Sequence, residues 1–120
     1  MAENVIKTKS FNFALRIIKL FQYLKEDKKE FILSKQLLRS GTSIGALVRE
    51  SEQAESKKDF IHKLAIAQKE ANETDYWLEL LFQSDFLSET QFKSIKVDIV
   101  EINKILASII ITTKQKLATK

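Results

Sequence analysis

Residues 39–51, RSGTSIGALVRES, contain both glycines of this 120-residue chain, Gly41 and Gly45. The chain has no proline, and the helix formers Ala, Leu, Glu, Lys, Gln and Ile dominate its composition. A glycine inside a helix costs about 1 kcal/mol relative to alanine, so two of them four residues apart need a compensating role. Because little else interrupts a helix, the composition predicts an all-α fold with a single domain over residues 1–120.

Polar tetrads separate the segments in which apolar residues recur at helical spacing. Three of them have the capping-box pattern, a side-chain acceptor followed three residues later by an acid or an amide: residues 27–30 (DKKE), 56–59 (SKKD) and 88–91 (SETQ). With the periodicity, they predict four helices, over residues 10–25, 28–50, 57–83 and 89–116. Short connections favour antiparallel neighbours, so we predict an up-down-up-down antiparallel four-helix bundle.

The two glycines are interpreted as helix-packing residues. Gly41 falls on the apolar stripe of the second predicted helix, and Gly45 lies among other small residues. We expect a neighbouring helix to approach closely here, at Ala67 and Ala71, or a bulky side chain such as Trp77 to fill the space. A phosphate-binding loop is rejected, because the stretch lacks the G-x-x-x-x-G-K-S/T spacing and follows no strand.

The first predicted helix is apolar on two sides, over an arc of about 220° where a bundle helix needs little more than about 100°. Its first stripe consists of Phe11, Ala14, Leu15, Ile18 and Phe21. Its second stripe consists of Phe13, Ile17, Leu20 and Leu24. We predict that the second stripe is the interface of a homo-oligomer, since self-association commonly covers apolar surface. The alternative is a helix sunk deeper into its own bundle.

The charge balance is mildly basic, with 20 basic and 16 acidic side chains and a formal net charge of +4. Residues 7–39 hold nine bases and only three acids. This balance permits binding to a polyanion without requiring it. Tyr23, near Arg16 and Lys19, is the aromatic residue placed among bases outside the core stripes. Candidate phosphate contacts, with no base readout, are assigned to Arg16, Lys19, Lys25, Lys35, Arg39 and Arg49.

No catalytic or metal site is predicted. His62 is the only histidine, and the chain has no cysteine. The pair Asp59 and His62 has half of a di-iron spacing, but such a site needs two histidines, and Asp59 is better explained as a helix cap. Glu70 and Glu73, like the acidic residues at 50–55, are interpreted as solvated carboxylates. We therefore expect a non-enzymatic protein with no cofactor and no metal.

Neither a signal peptide nor a membrane span is expected. The first ten residues lack an apolar core, and no apolar run approaches the length of a transmembrane helix. The absence of cysteine fits a reducing compartment. The sequence thus predicts a soluble, cytoplasmic protein without a membrane partner.

Two adjoining stretches carry a family resemblance: QLLRSGTSIGALVRES at residues 36–51 and SKKDFIHKLAIAQKEANETDYWLELL at residues 56–81. Together they resemble the bacterial four-helix-bundle family named for proteins encoded in intervening sequences of 23S ribosomal RNA genes, also filed as a ribosomal-protein family. The resemblance spans residues 11–117. It transfers no catalytic residue.

The resemblance implies a homopentamer. A related branch, the accessory variability determinant of diversity-generating retroelements, is a basic pentameric barrel that binds nucleic acid and a reverse transcriptase. The present chain is less basic than that branch leads one to expect. Two hypotheses therefore stay open: an accessory protein associated with RNA or another nucleic acid, and a scaffold whose only partner is a protein.

Overall fold

A computed structural model describes residues 2–119, which form four helices and, within that range, no strand: α1 (Ala2–Glu26), α2 (Leu33–Ser51), α3 (Lys57–Gln83) and α4 (Glu89–Ala118). Each helix packs antiparallel on the next, and α4 returns to pack on α1. The body measures 53 × 22 × 20 Å. The predicted all-α, up-down-up-down four-helix bundle is confirmed.

The starts of α3 and α4 follow from their capping residues. The Ser88 hydroxyl accepts from the Gln91 backbone N–H at 3.1 Å, and the Gln91 amide oxygen accepts from the Ser88 N–H at 2.9 Å. Ser56 likewise accepts from the Asp59 N–H at 3.0 Å. These bonds satisfy N–H groups that the first turn of a helix leaves unpaired. Both helices begin where the sequence predicts.

The predicted start of α2 at residue 28 is wrong, because the helix begins at Leu33. Lys29 has φ of 56°, a left-handed conformation that interrupts any helix through the tetrad. Glu30 caps α2 from outside: its carboxylate accepts from the backbone N–H groups of residues 32–34, at 3.2, 3.0 and 2.6 Å in chain order. The tetrad at residues 27–30 therefore precedes the helix instead of opening it.

The apolar stripe of α1 that faces the core is the one predicted to be an interface between subunits. Phe13, Ile17 and Leu24 are at most 1% exposed within a single chain, and Leu20 is partly buried against the same core. The interface prediction for these residues is therefore wrong, since they fill the space enclosed by α1 and its neighbours. Ile6 extends the buried stripe upstream. The helix α1 begins at Ala2, so the predicted start at residue 10 is wrong.

The glycines of α2 face α1. The sequence analysis had expected them to face the third helix, so this expectation is wrong. A Cβ atom added at Gly41 would lie 2.8 Å from Cγ1 of Ile17, and one at Gly45 would lie 3.3 Å from the carbonyl oxygen of Ser10. Glycine at these positions thus lets the buried stripe of α1 approach the backbone of α2.

Candidate functional site

Two of the predicted phosphate-contacting side chains are already paired within the bundle. Arg16 lies 2.5 Å from the carboxylate of Asp98 on α4. Arg39 pairs with Glu70 at 3.2 Å and also with Glu73, both on α3. These carboxylates offset the positive charge of both arginines and so weaken their attraction for a phosphate. The Arg16–Asp98 pair has both side chains at least 36% exposed, so it adds little to stability, whereas the partners of Arg39 on α3 are more buried.

The other four predicted residues have no carboxylate oxygen within 4.0 Å among residues 2–119. Lys25 and Lys35 flank the connection between α1 and α2. Arg49 lies over the ring of Phe11, 5.3 Å from its centroid. The six basic residues are therefore distributed over several faces and do not form one basic surface. The unpaired four are Lys19, Lys25, Lys35 and Arg49.

A cleft of about 580 Å³ opens between α1 and α4 and is called the α1–α4 cleft below. It brings together the three residues that the sequence singled out as an aromatic among bases. The polar residues from α4 were missed, because nothing in their spacing distinguishes them from solvated residues of a first turn. The cleft is lined by Arg16, Lys19, Leu20 and Tyr23 of α1 and by Thr90, Gln91, Ser94 and Ile95 of α4.

Contacts between α3 and α4 explain why the α1–α4 cleft stays open. The ring of Phe92 stacks on Phe82, with centroids 4.4 Å apart and planes within 3°. Lys96 binds Asp75 of α3 at 2.5 Å. These contacts hold the N-terminal half of α4 against α3 and leave space beside α1. At one edge of the cleft, hydrogen bonds from Arg16 to Ser94 and Asp98 connect α1 to α4.

A strip of apolar residues stays exposed on the outer face of α1, and we call Phe11, Leu15 and Ile18 the apolar strip. They are 49%, 46% and 38% exposed. Beside them, Gly45 and Ala46 of α2 present almost no side chain, so a groove of about 280 Å³ lies between the two helices. The sequence correctly indicated surplus apolar surface on α1, but the exposed residues belong to the first stripe, not the second.

Two further apolar groups are exposed. On α4, Val97, Val100 and Ile111 face outward, and we call them the α4 patch. In the connection between α1 and α2, Phe31 and Ile32 are also exposed. The bundle therefore presents apolar surface in at least three places.

Four of the carboxylates considered in the sequence analysis form ion pairs: Glu70 and Glu73 with Arg39, Glu50 with Lys63 and Glu52 with Lys7. Within residues 2–119, no group of three His, Cys, Asp or Glu side chains could hold a metal ion. None of the four helices described above is long and apolar enough to cross a membrane.

The sequence profile of the 23S rRNA-intervening sequence protein family matches residues 2–108. This chain belongs to that family. It is also similar to a crystal structure of a protein of unknown function from the S23 ribosomal protein family of Bacteroides thetaiotaomicron VPI-5482. That protein is 58% identical, superposes with a TM-score of 0.91, and is matched over 98% of its chain and 92% of this one. No curated protein matches the sequence. The family predicted from the sequence is confirmed.

The two stretches that carry the resemblance to the intervening-sequence family meet between α2 and α3. The buried hydroxyls of Ser40 and Thr74 lie 2.9 Å apart. On the outer side, Arg39 pairs with Glu73, whose carboxylate also accepts from the indole N–H of Trp77 at 3.3 Å. In this family member the resembling segments thus join two helices, and their contacts are those of packing.

Proposed function

We propose that the protein is a non-enzymatic, self-associating four-helix bundle whose copies meet through the apolar strip of α1. The observation that carries this proposal is the exposure of Phe11, Leu15 and Ile18, neighbouring residues on one helix face. Large contiguous apolar patches on a protein surface mark contacts with a partner. The groove beside Gly45 and Ala46 offers space for a side chain of the neighbouring copy.

The homopentamer implied by the sequence resemblance fits a head-to-tail arrangement. The apolar strip on α1 and the α4 patch are different surfaces of one chain. A contact between two different surfaces is heterologous, and it generates a closed ring when the rotation between copies closes. We propose that the apolar strip of each subunit meets the α4 patch of the next.

The decisive experiment is the solution mass of the wild-type protein and of Leu15→Glu, measured by light scattering at several protomer concentrations. We expect the wild type to be oligomeric and Leu15→Glu to have the protomer mass, 13.9 kDa, with unchanged helical circular dichroism. Ile32→Glu is the matched control, because Ile32 is 76% exposed in the connection, away from the strip. A wild type of protomer mass, or a Leu15→Glu variant of wild-type mass, would refute the interface.

A second candidate function, association with RNA or another nucleic acid, is favoured by the α1–α4 cleft. The unpaired Lys19 lies there beside hydrogen-bonding groups of α4. An oligomer displays this site once per subunit, so several weak phosphate contacts add through multivalency. Among the six predicted basic residues, we expect the four unpaired ones to contribute more than Arg16 and Arg39, whose charge is offset by nearby carboxylates.

Nucleic-acid association is tested by measuring the affinity for a structured RNA, and for a DNA of matched sequence, across a salt series with the oligomer intact. We expect affinity to fall as salt rises, with a slope that reports the number of phosphate contacts. If neither nucleic acid binds at low salt, this candidate fails, and a scaffold that binds only protein is the better account.

A further inference from the structure

We infer that the α1–α4 cleft binds a nucleoside phosphate, with the phosphoryl group at Lys19 and Arg16 and the base against the apolar part of the lining. The cleft, at about 580 Å³, lies within the range of roughly 300–1,000 Å³ typical of small-molecule sites. All its lining residues belong to one chain, so binding needs no oligomer. This inference rests on the second candidate function, association with nucleic acid, because a nucleotide within RNA is one source of such a ligand.

The polar side of the cleft fits an anion. None of the eight lining residues is acidic, and Lys19 has no carboxylate within 4.0 Å among the described residues. Thr90 lies in the first turn of α4, where the partial positive charge of a helix N-terminus favours an anion. Its hydroxyl and that of Ser94 add hydrogen-bonding groups beside the lysine.

The charge that Arg16 offers to a ligand depends on its contacts with α4. Its guanidinium makes three hydrogen bonds to α4, one to the Asp98 carboxylate at 2.5 Å and two to Ser94. A guanidinium has five N–H donors, so donors remain for a phosphate. Asp98 weakens the binding of an anionic ligand, because its carboxylate neutralises Arg16 and repels negative charge.

The other side of the cleft fits a base. Leu20 supplies apolar contact and Tyr23 adds an aromatic ring, whereas Ile95, at 3% exposed, lines the cleft with little accessible surface. The amide oxygen of Gln91 is occupied by the Ser88 N–H, so its NH₂ group is the part that can bind a ligand. Gln91 can thus donate to a carbonyl or ring nitrogen of a base. Inorganic phosphate lacks these contacts and should bind more weakly than a nucleotide.

The first measurement is a titration of the 15N-labelled protein with adenosine monophosphate and, separately, with inorganic phosphate. We expect the nucleotide to shift the backbone amides of Lys19, Gln91 and Ser94, with an affinity at least fivefold higher than that of phosphate. Equal affinities would overturn the assignment to a nucleoside phosphate. Shifts confined to residues outside the cleft, or no saturable shift, would overturn the site.

Two substitutions should change the affinity for adenosine monophosphate in opposite directions. Lys19→Gln should weaken it at least fivefold, whereas Asp98→Asn should strengthen it at least twofold by releasing Arg16. The matched controls are Lys104→Gln and Glu101→Gln, which make the same charge changes on α4 outside the lining and should alter affinity less than twofold. If each control matches its counterpart, binding reflects net charge alone and the site is refuted.

A single-stranded RNA separates this inference from the candidate function on which it rests. RNA binding that falls with salt but is unchanged in Lys19→Gln would overturn the cleft site and leave nucleic-acid association standing. Binding of adenosine monophosphate without binding of RNA would keep the cleft site, identify the free nucleotide as its ligand and reject nucleic-acid association.

Discussion

Replacing Glu30 by alanine tests the unusual way in which α2 begins. The carboxylate of Glu30 accepts from three consecutive backbone N–H groups, of which that of Ser34 belongs to a fully buried residue. Water can replace the carboxylate at the exposed Ile32, whereas Ser34 is fully buried in the folded protein. Glu30→Ala thus removes a helix cap and leaves one buried donor without a partner.

The magnitude follows from these two losses. Loss of an N-cap costs about 0.5–2 kcal/mol, and an unsatisfied buried donor costs about 1–3 kcal/mol. The two terms overlap at Ser34, so we expect a loss of about 2–3 kcal/mol. With an unfolding entropy near 2.1 cal/mol/K per residue, a 120-residue chain should lose about 8–12 °C in Tm.

The assay is urea unfolding followed by circular dichroism at 222 nm, at one protomer concentration because assembly shifts apparent stability. Asp27→Ala is the matched control, since Asp27 is the residue that the sequence pattern proposes as the cap. No side-chain hydrogen bond of Asp27 is found among residues 2–119, and we expect a change within about 0.5 kcal/mol. The reasoning is refuted if Asp27→Ala costs as much as Glu30→Ala, or if Glu30→Ala costs nothing.

Two further predictions concern the side of α1 that faces the bundle core. Gly41→Ala should destabilise by about 1–3 kcal/mol, less the helix-propensity gain of about 1 kcal/mol, because its Cβ meets Ile17. In the Ile17→Ala background the same substitution should become neutral or stabilising in urea unfolding; equal effects in both backgrounds would exclude the contact. Phe13→Glu should abolish the helical signal instead of yielding a folded monomer, because Phe13 is 1% exposed; a folded monomer would restore it as an interface residue.

The sequence predicts much of the fold because its caps are local signals. Ser56 and Ser88 have their capping partners three residues away, and the helices that they open begin as predicted. The tetrad before α2 has the same pattern, yet Lys29 adopts positive φ and Glu30 caps a helix that starts later. A capping box and a cap from outside the helix have similar sequences, so the pattern alone cannot distinguish them.

The choice between the two stripes of α1 depends on a contact between helices. Periodicity is equally good on both stripes, and it contains no information about which one faces α2. The complementary shapes of Ile17 and Gly41 decide it, and that pairing is visible only once α1 and α2 are placed in register. The α1–α4 cleft was harder still to predict, because it arises from Phe82 and Phe92 holding α4 towards α3.

The distance between the turns at the two ends of α2 has an electrostatic consequence. The turns before α2 and before α3 are separated by the 19 residues of α2, about 28 Å at 1.5 Å per residue. That distance is more than three Debye lengths at physiological ionic strength, where the Debye length is about 8 Å. A charge gained or lost at the turn before α2 is therefore screened before it reaches the turn before α3, at the opposite end. The two ends can acquire or lose charged ligands independently, and any communication between them has to be mechanical, carried by the helices themselves.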